Sequence, residues 1–92
     1  MYLTAQPDCQ GGTVVLEHRA TGMRSNPRTA GEVIAWKRDT NETSAWRPLD
    51  LAAMRFNRGV VYPTDIFHAA LPRAGFGSGP ADGRLVFTMF FD

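Results

Sequence analysis

Residues 84–91, Arg-Leu-Val-Phe-Thr-Met-Phe-Phe, form the segment that most constrains the fold, because only its first residue is charged. A strand of this composition is typically buried on both faces or paired inside a closed sheet. Leaving Phe90 and Phe91 in water would be costly, so we expect the segment to lie within a sheet. Other strands are then needed to cover it.

Three other stretches have the composition of strands and are bounded by Gly and Pro turns: 13–18, 59–62 and 66–71. Residues 73–83, RAGFGSGPADG, are rich in Gly and are predicted to be a loop. Counting every apolar run generously gives roughly six strands, whereas a jelly roll usually has eight. Part of the sheet is therefore expected to be missing or to come from a partner.

One short helix is predicted over about residues 30–38. Thr29 and Glu32 have the spacing of a capping box, and the apolar residues that follow recur at helical spacing. Short strands with one helix indicate a mainly β fold of the sandwich, barrel or jelly-roll type. At 92 residues, the chain is long enough for one domain, 1–92, and not for two.

Composition narrows the class of partner. Lys plus Arg number 10 and Asp plus Glu number 9, so the charge balance predicts neither nucleic acid nor a membrane surface as a partner. Cys9 is the only cysteine, which excludes an internal disulfide framework and fits a reducing compartment. Without a visible signal peptide or an apolar run of roughly 20 residues, we expect a cytoplasmic protein.

Two residues of the C-terminal third are able to carry chemistry. His68 sits near the start of an apolar strand, where it is either a hydrogen-bonded structural histidine or a metal ligand. Arg84 opens an otherwise uncharged strand, so it either reaches solvent along its own stem or clamps a carboxylate. A metal ligand together with a carboxylate clamp is the combination that a metal-bound keto acid requires.

The order of motifs resembles the C-terminal half of the iron(II)/2-oxoglutarate oxygenases, close to their prolyl-hydroxylase-like branch. Residues 1–3 with 11–13 resemble that branch's "YLN … GGxL" stretch. Residues 57–63 followed by His68 resemble the stretch that carries the distal iron-binding histidine, and residues 83–88 resemble the closing strand. The fuller pattern is similar to an uncharacterised group of bacterial proteins in this superfamily.

The resemblance implies a partial double-stranded β-helix, or jelly roll, with one short helix. It implies iron(II) and 2-oxoglutarate as cofactors, with His68 as the distal iron ligand and Arg84 on the far carboxylate of the keto acid. Tyr2 and Tyr62 are candidate hydrogen-bond partners of the cosubstrate, the alternative being buried aromatic residues with satisfied hydroxyls. The substrate, a small molecule or a peptide, and the catalytic residues are not indicated.

One departure from the family is serious. Its enzymes bind iron through two His and one carboxylate, the first two ligands forming an H-x-D/E motif. Here His18 precedes Arg19-Ala20 and His68 precedes Ala69-Ala70, so neither histidine belongs to such a motif. Residue 1 falls where the strand with that motif should have ended. The chain is then a fragment, the product of a misplaced start, or a truncated paralogue.

Two alternatives stay open beside the oxygenase hypothesis. His18 is expected to be a packed or hydrogen-bonded structural histidine, and Asp65 a turn residue rather than a ligand. The chain as a whole is either an oxygenase-type domain or a non-catalytic remnant. In the second case, we expect it to form homo-oligomers, or to bind another chain, through exposed strand edges.

Overall fold

The computed structural model describes residues 1–79 and 81–90. This part of the chain is mainly strand with one α-helix. The strands β1, β2 and β3 form an antiparallel sheet in the order β2-β1-β3. The elements are β1 (Gly12–His18), α1 (Ala30–Asp39), β2 (Trp46–Ala53) and β3 (His68–Leu71), with 3-10 turns at Gln6–Asp8 and Thr43–Ala45. The prediction of a mainly β chain with a short helix is confirmed at this level.

Helix α1 begins where the sequence predicted. The Thr29 hydroxyl accepts a hydrogen bond from the Glu32 N–H at 3.1 Å, and the Glu32 carboxylate accepts one from the Thr29 N–H at 3.2 Å. Lys37 and Arg38 occupy the last turn, where positive charge suits the helix dipole. No residue of α1 is buried. Local signals at its two ends therefore define this helix more than packing does.

Strand β1 confirms the strand predicted over 13–18. Val14 and His18 are buried, and the residues between them are only partly exposed. The strand ends in a tight turn, in which the Gly22 N–H donates to the His18 carbonyl at 2.8 Å. Gly22 has a φ of 74°, a conformation that glycine adopts without strain. The turn returns the chain so that the His18 N–H bonds the Met23 carbonyl at 2.8 Å.

The C-terminal segment differs from its prediction. Among residues 85–90, only Val86 takes part in a β-bridge, with Tyr2, and every residue of this range is exposed. The expected burial is wrong for these six residues, because the rest of the described chain leaves the five apolar ones 41–79% exposed. Phe91 lies outside the described residues. Residues 59–62 likewise form no strand, and the 66–71 stretch is a strand only from His68 onward.

The chain divides into two compact units. Unit 1 comprises Met1–Thr13, Ala52–Val61 and Ala70–Asp92, and unit 2 comprises Val14–Leu51 and Tyr62–Ala69. The buried side chains of unit 1 include Tyr2, Thr4 and Met54, and those of unit 2 include Val14, His18 and Met23. Within residues 1–79 and 81–90, no helix is both long and apolar enough to span a bilayer.

Candidate functional site

Arg84 of unit 1 lies against an aromatic ring and two weak acceptors. Its guanidinium carbon is 5.4 Å from the centroid of the Tyr2 ring, within the range of a cation–π contact. Nη1 is 3.5 Å from the Leu71 carbonyl oxygen, and Nη2 is 3.5 Å from the Thr13 hydroxyl oxygen. Both separations are long for a hydrogen bond, so much of the donor capacity of the guanidinium is unused.

The ring beneath Arg84 is fixed by its own hydrogen bonds. Tyr2 is buried, and its hydroxyl donates to the Ala52 carbonyl at 3.1 Å. The phenolic oxygen lies 2.6 Å from Thr13 Oγ1, so the Thr13 hydroxyl supplies the proton of that second bond. Thr13 Oγ1 is then an acceptor toward Arg84. Arg84 therefore rests on a preorganised pair of side chains.

Among the described residues, the charge of Arg84 has no counterpart nearby. In the described part of the chain, no Asp or Glu carboxylate lies within ion-pair distance of its guanidinium. By contrast, Arg24 and Arg47 both bond the carboxylate of Glu17, at 2.7 Å and 2.8 Å. A half-buried guanidinium with free donors favours binding of an external carboxylate or phosphate.

His68 of unit 2 presents one ring nitrogen for binding. Its Nδ1 lies 2.8 Å from the Ile66 carbonyl oxygen, and because a carbonyl only accepts, Nδ1 carries the proton. Nε2 then keeps its lone pair on an exposed side chain. Histidines that bind metals commonly donate their other N–H to a backbone carbonyl in this way. The Tyr62 ring lies beside it, with centroids 4.8 Å apart.

The sequence-predicted residues are thus found as two pairs, Arg84 with Tyr2 in unit 1 and His68 with Tyr62 in unit 2. The iron ligand set does not fit the residues present. Across residues 1–79 and 81–90, no group of three His, Cys, Asp or Glu side chains is placed to hold a metal ion.

His18 cannot substitute for a ligand, because both of its nitrogens are taken. The side chain is fully buried, with Nε2 2.7 Å from Asp39 Oδ2 and Nδ1 2.7 Å from Thr21 Oγ1. The Arg38 guanidinium, and after it His18, lower the pKa of Asp39 to about 2. Nε2 therefore donates to a carboxylate. The prediction of a structural, hydrogen-bonded histidine is confirmed.

Sequence reasoning missed the partners of His18. Asp39 closes α1, and its backbone carbonyl accepts the Trp46 indole N–H at 2.8 Å. The Trp46 ring also lies against the imidazole, with centroids 5.0 Å apart. The available signal was the rule that a buried imidazole needs polar partners, which points to a carboxylate without saying which one.

No family model matches this chain, and neither a curated protein nor a solved structure matches it. Its function therefore has to be inferred from the residues themselves. The described residues contain one distinctive binding feature on each unit. These are the Arg84 guanidinium, which has no carboxylate partner within residues 1–79 and 81–90, and the exposed Nε2 of His68.

Proposed function

We propose that the chain is an iron(II)/2-oxoglutarate oxygenase-like domain of the jelly-roll type that binds the keto acid and lacks the H-x-D/E ligands. The observation that carries this proposal is Arg84, half-buried over the Tyr2 ring without a carboxylate partner among the described residues. The motif order of the sequence supports the choice of 2-oxoglutarate over other anions. The substrate of such a domain, a small molecule or a peptide, is unspecified.

Arg84 suits one end of a dicarboxylate for a geometric reason. A guanidinium offers a planar fork that matches the two oxygens of a carboxylate, and an aromatic ring on one face restricts its rotation. Tyr2 acts as a positioning residue, since its hydroxyl is already bonded to Ala52 and Thr13. The carboxylate would exchange the two long 3.5 Å contacts of Arg84 for shorter, charge-assisted ones.

The metal enters this proposal only through His68. Bound iron(II) would supply oxygen activation, as it does in enzymes with a facial triad. Since the described residues offer iron a single candidate ligand, no step of that chemistry is assigned to this chain. Tyr62 is proposed to line the His68 imidazole and to keep its ring in place.

The proposal is tested by titrating the metal-free chain with 2-oxoglutarate. Binding is measured by calorimetry or by the NMR shifts of the Arg84 side chain. Arg84→Ala should weaken binding by at least about tenfold, the loss of one charge-assisted contact of roughly 1.5–3 kcal/mol. Arg55→Ala removes an exposed arginine of the same unit and should leave affinity unchanged. Equal affinity in the Arg84 variant would remove this residue from the site.

A second titration addresses the metal. Iron(II) and 2-oxoglutarate are added anaerobically, and the visible charge-transfer band of a chelated complex is recorded against the free mixture. With His68 as the one ligand, any band should vanish in His68→Ala. A band that persists in that variant would show that His68 is not the ligand. If 2-oxoglutarate binds but no band appears, the proposed keto-acid site stands and the proposed iron binding at His68 is excluded.

A second candidate function is favoured by the surface of unit 1. Five apolar side chains of residues 85–90 are exposed, which is unusual for a surface without a partner: Leu85, Val86, Phe87, Met89 and Phe90. We infer a non-catalytic binding or oligomerisation module as the alternative, acting through a strand edge. Cytoplasmic location stays a prediction that rests on the lone Cys9.

A further inference from the structure

The segment 85–90 of unit 1 lies beside the N-terminus, to which it is joined by an isolated antiparallel bridge between Val86 and Tyr2. The Leu3 N–H donates to the Leu85 carbonyl at 2.7 Å, and the Phe87 N–H donates to the Met1 carbonyl at 2.8 Å. On the side of residues 1–3 that faces away from this segment, the Tyr2 N–H donates to the Arg58 carbonyl at 3.0 Å. In the described part of the chain, Tyr2 is therefore bonded on both sides, whereas Leu85 and Phe87 are bonded on one side.

The hydrogen bonds show which backbone groups face outward. Leu85 and Phe87 bond residues 1–4 through both N–H and C=O. Because backbone groups alternate along an extended chain, those of Val86 point the other way, and those of Thr88 would follow if the chain continues extended. Within residues 1–79 and 81–90, these four groups bond no other residue. The outer side of the segment is thus an open strand edge.

This edge carries none of the usual protection against pairing. Natural edges are commonly blocked by a charge, a proline or a bulge, and residues 85–90 contain no charge and no proline. Phe87 is 56% exposed and Phe90 is 79% exposed. The five apolar side chains of the segment expose on the order of 500 Å², judged from whole side-chain areas of roughly 150–250 Å².

We propose that this edge, residues 85–90, pairs antiparallel with the same edge of a second copy of the chain. A two-fold axis at Phe87 places Val86 of each copy opposite Thr88 of the other. The four outward backbone groups of each copy then form a ladder of intermolecular hydrogen bonds. Phe87 faces its own counterpart across the axis, in a non-hydrogen-bonded pair with Cα atoms about 4.5 Å apart.

The choice of a second copy rests on self-complementarity. In this register Leu85 lies opposite Met89 of the other copy, so Leu85, Phe87 and Met89 of both chains form one continuous apolar row. No like charges meet, because the segment contains none. Isologous contacts of this kind need no second surface. The buried area falls short of the roughly 800 Å² per partner of a standard interface, which indicates a weak dimer.

Cysteine cross-linking tests the register. In a Cys9→Ser background, Phe87→Cys places two thiols across the proposed axis, within the Cα separation that a disulfide allows. Phe56→Cys is the matched control, since Phe56 is also 56% exposed and also belongs to unit 1. Under mild oxidation we expect the Phe87 variant to form disulfide dimers at least about tenfold faster than the control. Equal rates in the two variants would overturn the proposal.

A backbone variant tests the edge without introducing a thiol. Val86→Pro removes an outward N–H, which no residue of the described chain uses, and leaves the internal bonds of Leu85 and Phe87 in place. In sedimentation equilibrium, the wild-type chain should be a concentration-dependent dimer with a dissociation constant of roughly 1–100 μM. Val86→Pro should be monomeric at the same concentrations, with an unchanged circular dichroism spectrum. A monomeric wild-type chain, or a dimer that survives Val86→Pro, would overturn the pairing.

This pairing rests on the second candidate function, a non-catalytic oligomerisation module, and specifies its partner as a second copy of the chain. It does not depend on Arg84. Cross-linking at residue 87 and anion binding at Arg84 are separate measurements. Loss of the cross-link with intact 2-oxoglutarate binding removes the self-pairing alone. A specific cross-link without any 2-oxoglutarate binding removes the oxygenase proposal and leaves the pairing in place.

Discussion

The two histidines of the chain occupy opposite environments within unit 2. His18 is 0% exposed, and each of its ring nitrogens lies 2.7 Å from a side-chain oxygen, of Thr21 or Asp39. His68 is exposed, and one nitrogen bonds the carbonyl of Ile66, two residues earlier in the chain. The His18 imidazole connects a turn to the end of α1, whereas the hydrogen bond of His68 fixes only the orientation of its own ring.

This difference separates a structural histidine from a candidate ligand. A buried imidazole must satisfy both nitrogens internally, because an unpaired polar group away from water is costly. An exposed imidazole with one nitrogen fixed keeps the other available at a defined position. The residue type is the same in both positions. Burial and the number of partners distinguish a support of the fold from a candidate ligand.

The largest expected effect is on stability. His18→Ala should lower the free energy of unfolding by about 3 kcal/mol, because it opens a cavity and leaves the Thr21 and Asp39 side chains without their partner. His68→Ala should change it by less than about 0.5 kcal/mol, as for other exposed positions. Urea unfolding followed by tryptophan fluorescence measures both values. Similar losses in the two variants would contradict the contrast between the two sites.

The sequence predicted features that depend on neighbouring residues. The capping box of Thr29 and Glu32 located the start of α1, and the alternation in 13–18 located β1. It could not supply the partner of His18, because Asp39 lies 21 residues away. The expected burial of residues 85–90 failed for the same reason. Composition shows that a strand is apolar, but the chain that lies against it decides whether the strand is covered.

The candidate site shows the same limit. Residue type and motif order point to Arg84 and His68, whereas their immediate partners follow only from the structure. Thr13, which links Arg84 to the Tyr2 hydroxyl, is 71 positions away from Arg84. No periodicity in the sequence connects residues at that distance. The family resemblance ordered these segments along the chain without specifying which side chains meet.

Acid should weaken the contact between the Asp39 carboxylate and His18. Asp39 has a pKa of about 2 in the folded chain, lowered first by Arg38 and then by His18, against 3.8 as its ordinary value. Between these values the unfolded chain binds more protons, so stability falls as pH is lowered from about 4 to about 2. Asp39→Asn should reduce this loss, measured as urea midpoints at several pH values.

Glu17 provides the control for that experiment. Its pKa is also lowered, by hydrogen bonds first from Arg24 and then from Arg47, so it contributes a loss of the same sign. Asp39→Asn should therefore diminish the pH dependence without abolishing it, and Glu17→Gln should remove a separate part. An unaltered acid profile in Asp39→Asn would show that the carboxylate is not coupled to folding.

A smaller effect is expected at the other nitrogen of His18. Thr21→Val keeps the shape of the side chain but removes the hydroxyl that bonds Nδ1 at 2.7 Å. We expect a loss of about 1 kcal/mol, since a buried ring nitrogen is left without its partner while the bond to Asp39 remains. Thr21→Ser restores the hydroxyl and should recover most of the stability. Equal stability of the Val and Ser variants would remove Thr21 from the network.

The smallest expected effect is spectroscopic and concerns which ring nitrogen of each histidine carries the proton. With both imidazoles neutral, His18 should carry its proton on Nε2, because that nitrogen faces the Asp39 carboxylate. His68 should carry its proton on Nδ1, because that nitrogen faces the Ile66 carbonyl oxygen. Long-range ¹H–¹⁵N correlation spectra distinguish the two tautomers, and the chain contains only these two histidines. The His68→Ala spectrum assigns the signals.

Opposite tautomers would mean that His68 presents the lone pair of Nε2 to solvent before any metal arrives. An Nε2–H tautomer at His68 would show that this nitrogen is not held ready as a ligand by the bond to Ile66.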